Sequence, residues 1–154
     1  IQVALSGKID IKGLVLIGAG ARLRVMPQLL KALSDRVEID DDIPDYLLSA
    51  NHKISEPLRS KINSSMKVNG ANVMLKDFSA CNKFDAMAYL ADIHTPVQII
   101  VGDKDQMTPM KYATFLADQL PQASLDVIEN SSHMVFAEKA DTVNQLITSY
   151  LAKL

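Results

Sequence analysis

Val97-Gln98-Ile99-Ile100-Val101-Gly102-Asp103-Lys104-Asp105-Gln106-Met107-Thr108-Pro109 is the stretch on which the reading of this chain turns. A mostly apolar run stops at a glycine and gives way to an acidic loop. That is how a parallel strand covered on both faces leaves its sheet. Downstream, Leu125-Asp126-Val127-Ile128-Glu129 mixes polar and apolar residues, as an edge strand can, and runs into Asn130-Ser131-Ser132-His133. An acid and a histidine therefore stand at the carboxyl ends of two successive strands. In an open parallel sheet that rim is where sites are built.

Upstream, Leu14-Val15-Leu16-Ile17 is another short apolar run, ending at Gly18. Between the Val97 and Leu125 strands, Ala113, Leu116, Ala117 and Leu120 recur at helical spacing. The pattern predicts a helix with Thr108 as N-cap and Pro109 in its first turn. The final segment places Val143, Leu146, Ile147, Tyr150, Leu151 and Leu154 on one helical face. From Val97 onward the order is strand, helix, strand, helix, which argues an α/β fold with a parallel sheet and right-handed crossovers.

Residues from about Arg22 to Leu90 read as helical pieces with little strand. Ser55-Glu56-Pro57 begins one helix, on which Leu58, Ile62 and Met66 recur every fourth residue, and Asn69-Gly70 breaks it. A further helix carries Val73, Met74 and Phe78, and Asp85 to Leu90 forms a short last one. The expected organisation is a core of residues 1–21 and 91–154 with a helical cap or lid at 22–90. The alternative is a long helical crossover packed on the sheet.

The bulk numbers bound the function. The chain has 154 residues, 48% hydrophobic and 22% charged, with a net charge of −2, an ordinary globular balance without the basic footprint of a nucleic-acid binder. No apolar run reaches membrane-span length. The single cysteine, Cys81, excludes an internal disulfide and fits a reducing, cytoplasmic setting. No signal-peptide layout is visible. The apolar opening Ile1-Gln2-Val3-Ala4-Leu5 is read as a cut inside a longer protein, its helix closed by Gly7.

Asp105 and His133 match two thirds of a Ser/His/Asp triad: a carboxylate that orients an imidazole, and an imidazole that accepts a nucleophile's proton. Taken singly, each has a plainer reading, a turn acid and a surface or capping histidine. Asp103 is a rival acid in the same loop. His52 and His94 have no partners at zinc spacing, and Cys81 reads as a small buried residue. Gly18-Ala19-Gly20-Ala21-Arg22-Leu23, with acids at Glu38 and Asp40, imitates a dinucleotide fingerprint. Leu23 stands where its third glycine belongs, and Pro27 interrupts the helix that should follow. Ser6 is not a nucleophile: Lys8 follows where a small residue is needed, and too few residues separate Ser6 from Leu14 for a crossover helix.

The order of these segments resembles the C-terminal half of an α/β-hydrolase over nearly the whole chain. Gly13 to Arg22 resembles the family's sixth strand and entry to its cap, and Asp77 to Asp85 resembles the cap's end. Val97 to Pro109 resembles the seventh strand and acid loop, and Asn130 to Glu138 resembles the histidine loop. The resemblance gives the acid role to Asp105 rather than Asp103 and the base role to His133, with Ser132 replacing a frequent glycine. It implies a serine hydrolase with a helical cap, acting without cofactor on a small ester, lactone or related acyl substrate, with its nucleophile, oxyanion hole and first strands upstream of Ile1. The chain alone would be inactive and would associate through the open edge of the Leu14–Ile17 strand, or with its missing half. A non-catalytic binding module of the same fold and, behind it, a dinucleotide enzyme are the alternatives.

Overall fold

The computed structural model describes residues 1–49 and 53–154. Its elements, in chain order, are α1 (Gln2–Ser6), β1 (Leu14–Ile17), α2 (Pro27–Glu38), α3 (Asp45–Ser49) and α4 (Leu58–Lys83). A 3-10 turn (Met87–Asp92) follows, then β2 (Val97–Gly102), α5 (Met110–Gln119), β3 (Ala123–Ile128), α6 (Val135–Glu138) and α7 (Ala140–Leu151). The chain divides into two compact units, residues 1–22 with 85–154, and residues 23–84.

The first unit is an α/β layer around a parallel sheet in the order β1-β2-β3. All of β2 is buried, which explains why it reads as a mostly apolar run; its one polar side chain, Gln98, donates to Oδ2 of Asp126 at 3.0 Å. The strand period of two divides its side chains between two cores. Val97, Ile99 and Val101 join Leu16, Leu90, Ile93 and the α5 residues Ala113 and Leu116 on one face. Ile100 joins Ile128, Val135 and Val143 on the other, with Val15, Ile17, Leu146 and Ile147 packed around them. Truncating a fully buried leucine such as Leu116 costs about 2–5 kcal/mol. The Tyr150 hydroxyl donates to the Pro96 carbonyl at 2.7 Å and accepts from the Leu14 N–H at 3.0 Å. A polar handle on an otherwise apolar face thereby ties α7 to the start of β1.

The sequence places residues 85–90 with the insertion, whereas they fold with the first unit. Leu90 is buried in its core, and the Ala86 N–H donates to the Ala21 carbonyl at 2.7 Å. Helix α5 begins at Met110, with Pro109 as its capping residue. Thr108 does not cap it, because its hydroxyl is engaged elsewhere, as described below. Leu151, at the end of α7, and Leu154, beyond it, remain exposed, so the predicted apolar face is longer than the buried one.

The second unit has its own core: Leu29 and Leu33 of α2, Ile43, and Ala71 of α4, surrounded by Met66, Met74, Leu75 and Phe78. Pro27 does not break a helix here but opens α2, where its missing N–H is harmless. Glu56 accepts from the Ser60 N–H and hydroxyl at the start of α4. Gly70, at φ 68° and ψ 176°, interrupts α4 between its two halves, where the sequence puts a break. Leu58 and Val73 face solvent, so the spacing of apolar residues there overstates the buried face.

Candidate active site

The three strands end on one rim, and the pairing register aligns their exits: Ile17 lies opposite Ile100, and Gly102 opposite Ile128. The acid and histidine loops are then sewn together by backbone. The Asp103 N–H donates to the Ile128 carbonyl at 3.1 Å, and the Lys104 N–H to the Ser131 carbonyl at 2.9 Å. A Cβ on Gly102 would lie 2.5 Å from both the Ser131 and Ser132 carbonyl oxygens. Only glycine lets the two loops come this close.

Asp105 is buried, and both its oxygens are fully used. Oδ1 accepts from the Met107 and Thr108 N–H groups, each at 2.9 Å. Oδ2 accepts from the Thr108 hydroxyl at 2.8 Å and lies 2.9 Å from Nδ1 of His133. Burial acts to raise this carboxyl's pKa. Hydrogen bonds from His133 and Thr108, together with the charge of the imidazole, outweigh it and hold the group below its ordinary 3.8. An ionised carboxylate only accepts, so Nδ1 of His133 carries a hydrogen toward it. Nε2 is left as the free, basic nitrogen of the neutral ring. The His133 side chain is 29% exposed while that of Asp105 is 0% exposed. A buried acid behind a partly open imidazole is an arrangement in which the carboxylate can orient the ring.

One further feature walls the imidazole, and another braces the loop that carries it. Gly18, with φ at 53°, places its α-carbon against the ring: a Cβ there would come within 3.2 Å of Nδ1. The residue that on sequence grounds begins a dinucleotide fingerprint is instead the wall of the histidine's pocket. No helix follows it, since α2 starts only at Pro27. On the far side of the histidine loop, the Ser132 N–H donates to Oε2 of Glu138 at 2.9 Å, and the Ser132 hydroxyl donates to Oε1. The left-handed residue of this loop is Asn130, at φ 54°, so Ser132 occupies its place without strain.

Among the residues singled out in sequence, Asp105 and His133 come together. Asp103 does not join them; its Oδ1 accepts from the Ser131 N–H at 3.1 Å and braces the loop. The Ser6 hydroxyl donates to the Val3 carbonyl at 2.7 Å, a helix-end contact. His94 lends its carbonyl to Gln122 at 2.7 Å. Cys81 is a free thiol and only partly buried. His52 lies outside the described residues. Among the described residues no cluster of side chains could hold a metal ion, and no helix is long and apolar enough to cross a membrane. The sequence reading named Thr108, Gly18, Ser132 and Glu138 for other reasons and did not give them these contacts. A threonine three residues after the candidate acid was the one available signal, and it also fits a helix cap.

A family model of α/β-hydrolases described as TAP-like protein matches residues 71–154, more than half of the chain. A proline iminopeptidase, PfmaB, of Pestalotiopsis fici is 37% identical over 68 residues, 42% of this chain and 24% of that protein. The solved structure of a thermophilic esterase superposes on 92% of the chain with a TM-score of 0.75 and 32% identity. The enol-lactonase of Burkholderia xenovorans LB400 shares the fold over 97% of the chain, with a TM-score of 0.81 and 16% identity. The chain spans 56% and 60% of those two structures. Family match, parallel sheet and helical layers agree: the chain belongs to the α/β-hydrolase family.

Proposed function

We propose that this chain carries the acid and the base of a serine-type α/β-hydrolase that cleaves small ester, lactone or related acyl substrates through a covalent acyl-enzyme. The observation that carries the reading is the 2.9 Å contact between Nδ1 of His133 and Oδ2 of a buried Asp105. In this reading Nε2 takes the proton of a nucleophilic serine and later returns it to the leaving group, while Asp105 stabilises the imidazolium formed between the two steps.

Among the described residues only Asp105 and Thr108 hydrogen-bond to the imidazole. The serine and the oxyanion hole are assigned to sequence beyond this chain, in keeping with the 56–60% of the related structures that it spans. The chain by itself is accordingly proposed to be inactive. Residues 23–84 are proposed as a helical cap that selects the substrate. They depart and return where Ala21 and Ala86 are joined by a backbone hydrogen bond.

The test is labelling of the intact parent protein with a serine-directed phosphonate, alongside turnover of a short acyl ester. His133→Ala is expected to lower turnover by about 10²–10⁴-fold with folding retained. Unchanged turnover in that variant would remove His133 from the mechanism.

A further inference from the structure

Thr108 lies where sequence alone suggests a helix cap, yet its side chain caps nothing. It is buried, and its Oγ1 sits 2.8 Å from Oδ2 of Asp105 and 3.2 Å from Nδ1 of His133. The single hydroxyl hydrogen settles the direction of both contacts. Asp105 Oδ2 can only accept, so that hydrogen points to the carboxylate. The face of Oγ1 turned to His133 is therefore a lone pair. An Nδ1–H placed between Oδ2 and Oγ1 meets two acceptors at once.

We propose that Thr108 is a positioning residue that fixes both the orientation of the Asp105 carboxylate and the Nδ1–H tautomer of His133. The proposal deepens the hydrolase reading and rests on it for its catalytic consequence. Its structural part stands on the three-way geometry alone. The hydroxyl locks Oδ2 in the plane that faces the ring. It also supplies a second acceptor that disfavours turning the ring over or moving the hydrogen to Nε2. An Nε2–H imidazole cannot accept a nucleophile's proton, so a leak to that tautomer withdraws enzyme from the reactive state.

Two variants separate hydroxyl from shape. Thr108→Val keeps the branched volume and removes the hydroxyl, whereas Thr108→Ser keeps the hydroxyl. The first readout is the histidine side-chain ¹⁵N spectrum of the 154-residue chain through a pH titration, with the His133 signals assigned by His133→Gln. Native protein and Thr108→Ser should hold Nδ1 protonated throughout, and Thr108→Val should show a mixture of tautomers at high pH. A Thr108→Val spectrum identical to native, with matching circular dichroism, would overturn the proposal. If Thr108→Val does not fold, Thr108→Ala, which also lacks the hydroxyl, is read in its place: a mixture of tautomers supports the proposal, and a spectrum identical to native overturns it.

The second readout is hydrolysis by the parent protein. Thr108→Val should lower kcat about tenfold with KM within about twofold, and serine should restore it. Loss of tautomer control in a parent that hydrolyses no acyl ester would sink the hydrolase reading while leaving Thr108's positioning role intact. Retained tautomer control with full hydrolysis in Thr108→Val would sink the positioning role and leave the hydrolase reading standing.

Discussion

At the scale of single residues, the site is a matter of hydrogen supply. Asp105 presents two oxygens, and four donors converge on them: two backbone N–H groups, one hydroxyl and one imidazole N–H. That set favours the ionised form, and its effect on stability has a definite sign. With the native pKa below the ordinary 3.8, the contribution is complete above the unfolded value and vanishes as pH falls through the native one. Urea unfolding should therefore show native stability declining more steeply than that of Asp105→Asn between about pH 5 and pH 2, where the two curves approach one another. Parallel curves over that range would mean that the carboxylate is not held as described. The meeting of Asp105 with His133 was legible in sequence because each follows a recognisable strand. Thr108 and Gly18 were not, because their roles arise from what faces them across the sheet. Thr108 touches a residue 25 positions away, and Gly18 lies against a ring supplied by β3's loop. No local pattern encodes such a pairing.

Elements show the same division between local and non-local cause. The strands were readable in place and order: β1 and β2 are apolar runs ending at or just before a glycine, and β3 mixes polar and apolar residues as an edge strand does. Helix starts were less readable. Pro27 and Pro109 are followed by helix in the structure, yet the same residue can end or open one according to what precedes it. The short helix α6 was missed altogether, because four residues give no period to detect. Gly102 is the element-scale residue with the sharpest consequence. It ends β2 where the histidine loop passes overhead, and an added methyl would meet two backbone carbonyl oxygens at 2.5 Å. Backbone cannot swing aside as a flexible side chain can, so Gly102→Ala should push the loops apart. The expected cost is about 1–3 kcal/mol of stability from overpacking, with a loss of hydrolysis in the parent larger than the fraction unfolded explains. Chemical denaturation and turnover measured on the same preparation check both. An alanine variant with native stability and turnover would show that the loops have slack.

Across the whole molecule, the parallel architecture was readable because two buried strands and an amphipathic helix leave few topologies open. The seam between the units was displaced by a few residues, because Leu90's burial in the sheet's core is a tertiary fact that helical spacing does not report. What the architecture leaves over is an edge. Strand β1 has β2 on one side and, among the described residues, no strand on the other. The N–H groups of Leu14 and Gly18 both point toward the β2 side, at Pro96 and Ile100. By the strand's period of two, those of Val15 and Ile17 point outward. An apolar strand with free donors along one side is a template for pairing with another chain. Sedimentation of the 154-residue chain should accordingly show association that grows with concentration. Val15→Pro should shift the distribution toward monomer, because proline removes an outward donor while leaving the ladder to β2 in place. The parent protein, if it supplies a neighbouring strand, should not associate by this route, so the same substitution would leave its sedimentation unchanged. A chain that stays monomeric at its solubility limit would mean that the open side of β1 is not a pairing surface.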